Sequence, residues 1–149
     1  MILALLLASL LAAPQTAPQN TDKLTSVRAY VFTDTSASGQ PSDEERGRLD
    51  AVREVREALA KKKGISIVDD RASATLLVEV LEREQGEEPG GPFGGKSITK
   101  MGDTIIRLHV RSGQDEVDVK GMGQGTWGRA AKDAADRILK WVARREPPR

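Results

Sequence analysis

The first 21 residues carry no charged side chain, although the whole chain has 23 Lys or Arg and 22 Asp or Glu. Residues 1–13 form an apolar run that only Ser9 interrupts. As a helix this run would be about 18 Å long, which is too short for a hydrocarbon core of about 30 Å. Followed by small residues, it is typical of a signal peptide. We therefore expect a signal peptide over 1–13, a flexible lead-in over 14–25, one domain over 26–146 and a short tail over 147–149.

Composition excludes several kinds of chemistry. The chain has no cysteine, so disulfides, thiolate metal sites and cysteine nucleophiles are ruled out. A single histidine excludes any site with two histidine ligands in one chain, and we expect no metal and no cofactor. The net charge of +1 gives no general attraction for nucleic acid. Aromatic residues make up only 3% of the chain, which weakens a stacking surface for single strands, so nucleic acid is not an expected partner.

The first half of the domain has the pattern of a β-α-β unit. Small or β-branched residues alternate with larger ones over 26–33, which predicts a strand. A capping box that starts at Ser42 opens a helix predicted over 43–63. Gly64 supplies the left-handed C-cap of that helix, and the segment 65–68 predicts the returning strand.

The second half predicts three more strands. Apolar residues on both faces of 75–83 indicate a central strand of the sheet. The segments 104–111 and 116–120 alternate apolar and charged residues on either side of a turn, which predicts a hairpin. A series of glycines that starts at Gly121 is expected to end the second strand of this hairpin.

A closing helix is predicted to run from Trp127 to about Arg145. Its apolar residues recur at spacings of 4, 3, 4 and 3 and should face the sheet: Trp127, Ala131, Ala134, Ile138 and Trp141. Because Trp127 has glycines on both sides, it is also a candidate for lining a small groove. The element order is thus β-α-β-β-β-β-α. This order predicts an α+β fold, a mixed sheet of about five strands with two helices packed on it.

One motif matches a known phosphate-binding pattern. The segment from Gly90 to Ser97, GGPFGGKS, fits G-x-x-x-x-G-K-[ST]. A working loop of this type needs a strand directly before it and a helix directly after it, so that backbone N–H groups hold the phosphates. Neither neighbour is predicted here, and we expect a flexible loop without phosphate. Phe93 and Lys96 are kept as candidate contact residues, and a phosphate or nucleotide binder as an alternative function.

Adjacent carboxylates raise the question of acid–base catalysis. Asp69 and Asp70 follow a predicted strand, but an acid–base pair needs two carboxyl groups that face one substrate. Aspartates in turns often cap helices, and we expect Asp70 to cap a short helical turn. A small hydrolase that uses Asp69, Asp70 or Glu79 is the alternative enzyme, while no residue is predicted to be catalytic.

Three basic residues share one face of a predicted strand. Arg107, His109 and Arg111 are spaced two apart, which suits an anion-binding patch. The competing interpretation is a solvated face that pairs with Glu116 and Asp118 on the next strand. With an arginine on either side, the pKa of His109 is expected to fall, because like charge disfavours the protonated ring.

The whole arrangement resembles a group of bacterial envelope domains that includes the N-terminal domain of TolB and the cores of CsgG and LpoB. The resemblance lies in the strand, capped helix and strand at the start, the segment 71–80 (RASATLLVEV), the hairpin over 104–120 and the closing helix. In those domains a small-residue turn also leads into a hydrophobic strand. The chain lacks their propeller, lipidation cysteine and pore-forming hairpin.

This resemblance implies a binding or assembly role in the envelope. We therefore expect an exported, non-catalytic α+β binding or accessory protein, periplasmic or secreted, with no membrane span in the mature chain. Its partner would be another envelope protein. A homo-oligomer, the identity of any ligand and the site of cleavage stay open.

Overall fold

A computed structural model of the protein describes residues 26–35, 39–86 and 102–145. The strands are β1 (Val27–Phe32), β2 (Ile65–Ile67), β3 (Leu76–Gln85), β4 (Asp103–Ser112) and β5 (Asp115–Gln124), and the helices are α1 (Asp43–Ala60) and α2 (Trp127–Arg145). The predicted order β-α-β-β-β-β-α and the α+β class are confirmed. The segments predicted as signal peptide, lead-in and tail lie outside the described residues.

The five strands form one mixed sheet in the order β2-β1-β3-β4-β5. β1 pairs in parallel with β2 and with β3, while β3–β4 and β4–β5 are antiparallel. The parallel pairs require crossover connections, which α1 provides between β1 and β2. The strand predicted to be central, β3, occupies the middle of the sheet, and its buried residues Leu76, Val78 and Val80 all lie on one face.

The ends of α1 follow from its capping residues. The Ser42 hydroxyl accepts a hydrogen bond from the Glu45 backbone N–H at 3.1 Å, so the helix begins where the capping box places it. It ends at Ala60, three residues before the predicted end at residue 63. The difference arises because the Lys62 N–H donates to the Leu59 carbonyl, which turns the chain towards β2. Gly64 has a φ of +85° and makes the left-handed turn that its position predicted.

Both helices pack on the same face of the sheet, and the core lies between them and the strands. On the sheet side the fully buried side chains include Leu76, Val78, Ile106 and Leu108. On the helix side the buried residues are small or aliphatic: Ala51, Val55 and Leu59 from α1, and Ala130, Ala131, Ala134, Ala135 and Ile138 from α2. The predicted stripe of α2 therefore faces the sheet, with Trp127 and Trp141 partly buried against the core at its two ends.

The end of β5 corrects the sequence interpretation. The strand continues to Gln124, four residues beyond the predicted end at Lys120, and includes Gly121 and Gly123. Both glycines face α2, and a Cβ placed on Gly123 would stand 2.9 Å from the Arg129 Cβ. These glycines do not break the strand. They remove the side chains that would hold the helix away from it.

Candidate functional site

The face of the sheet opposite the helices is the candidate functional surface. Along β4 the side chains of Thr104, Ile106, Leu108 and Val110 are buried under the helices, and the residues between them point the other way. We call this other side the open face. Its residues are Tyr30, Phe32, Leu77, Glu79, Glu82, Glu84, Ile105, Arg107, His109, Arg111, Glu116, Asp118, Lys120 and Met122. Within the described ranges, no helix covers it.

Ion pairs cross the open face on both sides of β4. The Arg107 guanidinium lies 2.9 Å from a Glu82 carboxylate oxygen, and Arg111 lies 3.4 Å from one of Glu79. On the other side, His109 Nδ1 is 2.7 Å from a carboxylate oxygen of Asp118. The three basic residues predicted to share a face do so. His109 is paired with carboxylates of β5, as the interpretation of a cross-paired face predicts, whereas Arg107 and Arg111 are paired with glutamates of β3, which that interpretation did not include.

The pKa of His109 is raised, which corrects the expectation from its arginine neighbours. The main cause is the hydrogen bond from the ring to Asp118, and Glu116, with an oxygen 3.5 Å from Nε2, adds to it. Partial burial and Arg111 act in the opposite direction but are outweighed. Arg111 points its guanidinium towards Glu79, so the carboxylates on β5 dominate the field at the ring.

An aromatic pair occupies the part of the open face formed by β1. The rings of Tyr30 and Phe32 are stacked with centroids 5.6 Å apart, and the Arg71 guanidinium lies 4.8 Å from the centre of the Phe32 ring. Leu77 on β3 lies beside Tyr30 in the strand register. The sequence interpretation did not include these residues. Two large aromatic side chains two apart, on the more exposed side of an alternating strand, were the signal that could have identified them.

Trp127 does not join the basic residues of the open face. It lies at the start of α2, on the side of the sheet that the helices cover. The Arg83 guanidinium stacks over its ring at 4.0 Å from the centroid, and the same guanidinium reaches an Asp50 carboxylate oxygen at 3.3 Å. Trp127 and Arg83 therefore link the start of α2 to α1 and the end of β3.

The other candidates are either engaged in structural contacts or lie outside the described residues. Asp70 caps a 3-10 turn and accepts a hydrogen bond from the Ala72 N–H at 3.1 Å, which confirms its predicted role. Asp69 pairs with Arg56 on α1, so the two neighbouring carboxylates do not act on one point. Phe93, Lys96 and the rest of the glycine-rich segment lie outside the described residues.

No family model matches this sequence, and no curated protein matches it either. In the three described ranges, no group of three or more His, Asp or Glu side chains is arranged to hold a metal ion. Neither helix in those ranges has the length and apolar character needed to cross a membrane.

Proposed function

We propose that the chain is an exported, non-catalytic binding or accessory protein of the bacterial cell envelope, and that it binds another envelope protein through its open face. One observation carries the proposal. The two helices cover one side of the sheet, while the other side presents stacked aromatic rings beside a field of paired charges.

The composition of the open face supports a protein partner. Tyr, Phe, Met and Arg are enriched in protein–protein interfaces, and the open face contains Tyr30, Phe32, Met122 and two arginines. Arg107, His109 and Arg111 are already paired with carboxylates, so the face offers alternating charge of both signs. Such a pattern suits a partner surface with complementary charges better than it suits a single small anion.

The proposal of an envelope location rests on the uncharged apolar segment at the N-terminus and on the resemblance of the element order to TolB-like envelope domains. The proposed location does not depend on the open face, so a result that disproves the location would leave the proposed binding surface unaffected, and the reverse also holds.

Site-specific photocrosslinking tests the binding surface. A photoreactive phenylalanine analogue at position 30 should crosslink one discrete envelope protein in the native host. The same analogue at Leu49, an exposed residue of α1 with 43% of its surface accessible, should not. The crosslinked partner, once purified, should bind the double variant Tyr30→Ala/Phe32→Ala about tenfold more weakly or worse, because aromatic side chains are common hot spots.

Leu49→Ala is the matched control and should leave that affinity unchanged, with thermal melts establishing that each variant is folded. Crosslinking from position 49 but not from position 30, or an unchanged affinity of the double variant, would contradict the open face as the binding surface.

A further inference from the structure

The outer edge of β5 has no neighbouring strand within the described residues, because β5 is the last strand of the sheet. A groove of about 460 Å³ lies between this edge and α2, and its walls include Val117, Lys120, Asp133 and Trp141. Unpaired strand edges present backbone N–H and C=O groups to which another strand can add.

Hydrogen bonding defines the free part of the edge. The Met122 backbone N–H donates to the Asp133 carboxylate at 3.0 Å, so this N–H points away from β4 and is already satisfied. In an antiparallel pair the outward-pointing groups recur at every second residue, so the backbone groups of Lys120, Asp118 and Glu116 also point outwards. The stretch from 116 to 120 is therefore open for pairing.

Lys120 has no carboxylate partner in the part of the chain that the structure describes. Its neighbour across the β4–β5 ladder is Arg107, a like charge, and no ion pair of Lys120 is present among the described residues. Like charges directly opposite each other on adjacent strands are unfavourable. A carboxylate on a strand added outside β5 would relieve this, whereas a basic or apolar residue there would not.

We propose that the occupant of this edge is the β5 strand of a second copy of the chain. In an antiparallel arrangement about a two-fold axis at Val119, Asp118 of each copy lies opposite Lys120 of the other. Both positions have outward-pointing backbone groups, so the charge pairs and the backbone hydrogen bonds form in the same register. The edge is thus complementary to itself, as an interface with two-fold symmetry requires.

The outer side of α2 approaches the α2 of the second copy about the same axis. α2 runs antiparallel to β5, since Asp133 contacts Met122 while Arg145 contacts Asp115 at the opposite end of the strand. Lys140 and Arg144 have no ion-pair partner among the described residues, whereas Asp133 is paired with Arg137. The N-terminal half of α2 carries Arg129 and Lys132 beside Asp133 and Asp136, so it has no net charge, and the two-fold axis brings it towards the basic C-terminal half of the other copy.

The spacing of the layers permits this second contact. Paired strands lie about 4.8 Å apart and packed helices about 8–10 Å apart. The α2 helices of the two copies, each lying over β4 and β5 of its own sheet, are therefore close enough to pack against each other. The dimer would have a continuous sheet with five strands from each copy. Because the axis is perpendicular to the sheet, the two open faces would lie on the same side.

Sedimentation equilibrium over a range of protein concentrations tests the interface when the charges at residues 118 and 120 are reversed singly and then exchanged. We expect a dimer for the natural sequence and a dissociation constant raised ~10-fold or more for Lys120→Asp or for Asp118→Lys, because each change acts twice in the symmetric dimer. The double variant Asp118→Lys/Lys120→Asp restores opposite charges and should recover most of the affinity. Lys63→Asp, at an exposed turn far from β5, is the control and should dimerise normally.

Engineered disulfides give a second test, since the chain has no cysteine. Asp118→Cys mixed with Lys120→Cys should form a crosslinked dimer on oxidation, while Ser66→Cys on the opposite edge should not. A protein that stays monomeric up to about 1 mM overturns the proposal. So does a dimer that Lys120→Asp leaves intact, or one that the charge exchange does not restore.

Discussion

Gly121 of β5 lies so close to Ala134 of α2 that a Cβ on the glycine would stand 2.6 Å from the alanine Cβ. The same Cβ would also press on the Ala130 carbonyl. Helix and strand therefore meet almost backbone to backbone, and this contact sets the position of α2 over the sheet.

Gly121→Ala should destabilise the protein by about 1–3 kcal/mol, because adding a methyl group to a well-packed core forces the backbone apart. Urea denaturation measures the effect as a lower midpoint. Gly47→Ala on α1 is the matched control, since a Cβ there meets only the Arg83 side chain at 3.7 Å. We expect it to be neutral or to stabilise the helix by up to about 1 kcal/mol. A Gly121→Ala midpoint equal to that of the natural sequence would contradict the close contact.

This contact also shows where sequence patterns stop being informative. Alternation and capping residues were enough to predict all seven elements and the class of fold, because these signals are local. The role of Gly121 and Gly123 was missed, since a glycine that ends a strand and a glycine that admits a helix look the same in sequence. The direction of the His109 pKa was missed for a related reason. Two arginines on its own strand are visible in the sequence, but the 2.7 Å contact to Asp118 depends on the register of the hairpin.

The buried centre of α2 should matter more than its aromatic ends. Ile138 is fully buried, whereas Trp141 is partly exposed and has the Arg145 guanidinium over its ring at 4.6 Å. We expect Ile138→Ala to cost about 2–5 kcal/mol and Trp141→Ala to cost less, since a side chain at the edge leaves a smaller cavity. In Trp141→Ala the remaining Trp127 reports unfolding by fluorescence. A larger loss of unfolding free energy for Trp141→Ala than for Ile138→Ala would contradict this order and show that the tryptophan contributes more to the core.

Asp136 should stabilise the protein at neutral pH through its contact with Lys62 on α1. The hydrogen bond from Lys62 is the main reason that the pKa of Asp136 is lowered from its ordinary 3.8. A lowered pKa gives stability that is present above the unfolded value and is lost as the pH falls through the folded value. Asp136→Asn should therefore lower the melting temperature at pH 7 and flatten its decline below about pH 4.

Asp43→Asn is the control for that experiment, because the pair of Asp43 with Arg46 is solvent-exposed and such pairs contribute little. If the two substitutions lowered the melting temperature equally at pH 7, the Lys62–Asp136 contact between the helices would stabilise the protein no more than an exposed ion pair does.

The proposed export predicts where the mature chain begins. If residues 1–13 are a signal peptide, the mature chain begins after residue 12 and before residue 21, because all charged residues start at Asp22. Intact-mass measurement on protein purified from the native host determines this terminus. Full-length chain recovered from the cytoplasm as the main form would contradict export.

His109 should make the protein less stable as the pH rises above neutrality. Its pKa in the folded state is raised from 6.5, mainly by the hydrogen bond to Asp118. A raised pKa contributes stability that is complete below the unfolded value and is lost as the pH rises through the folded value. The chain has only one histidine, so its imidazole resonances are followed without ambiguity in an NMR titration. We expect a midpoint above 6.5 in the natural sequence and a lower one in Asp118→Asn. The variant should also lose the decline in melting temperature as the pH rises above 6.5. A midpoint below 6.5 in the natural sequence would show that burial and the charge of Arg111 outweigh the carboxylates of β5 at this ring.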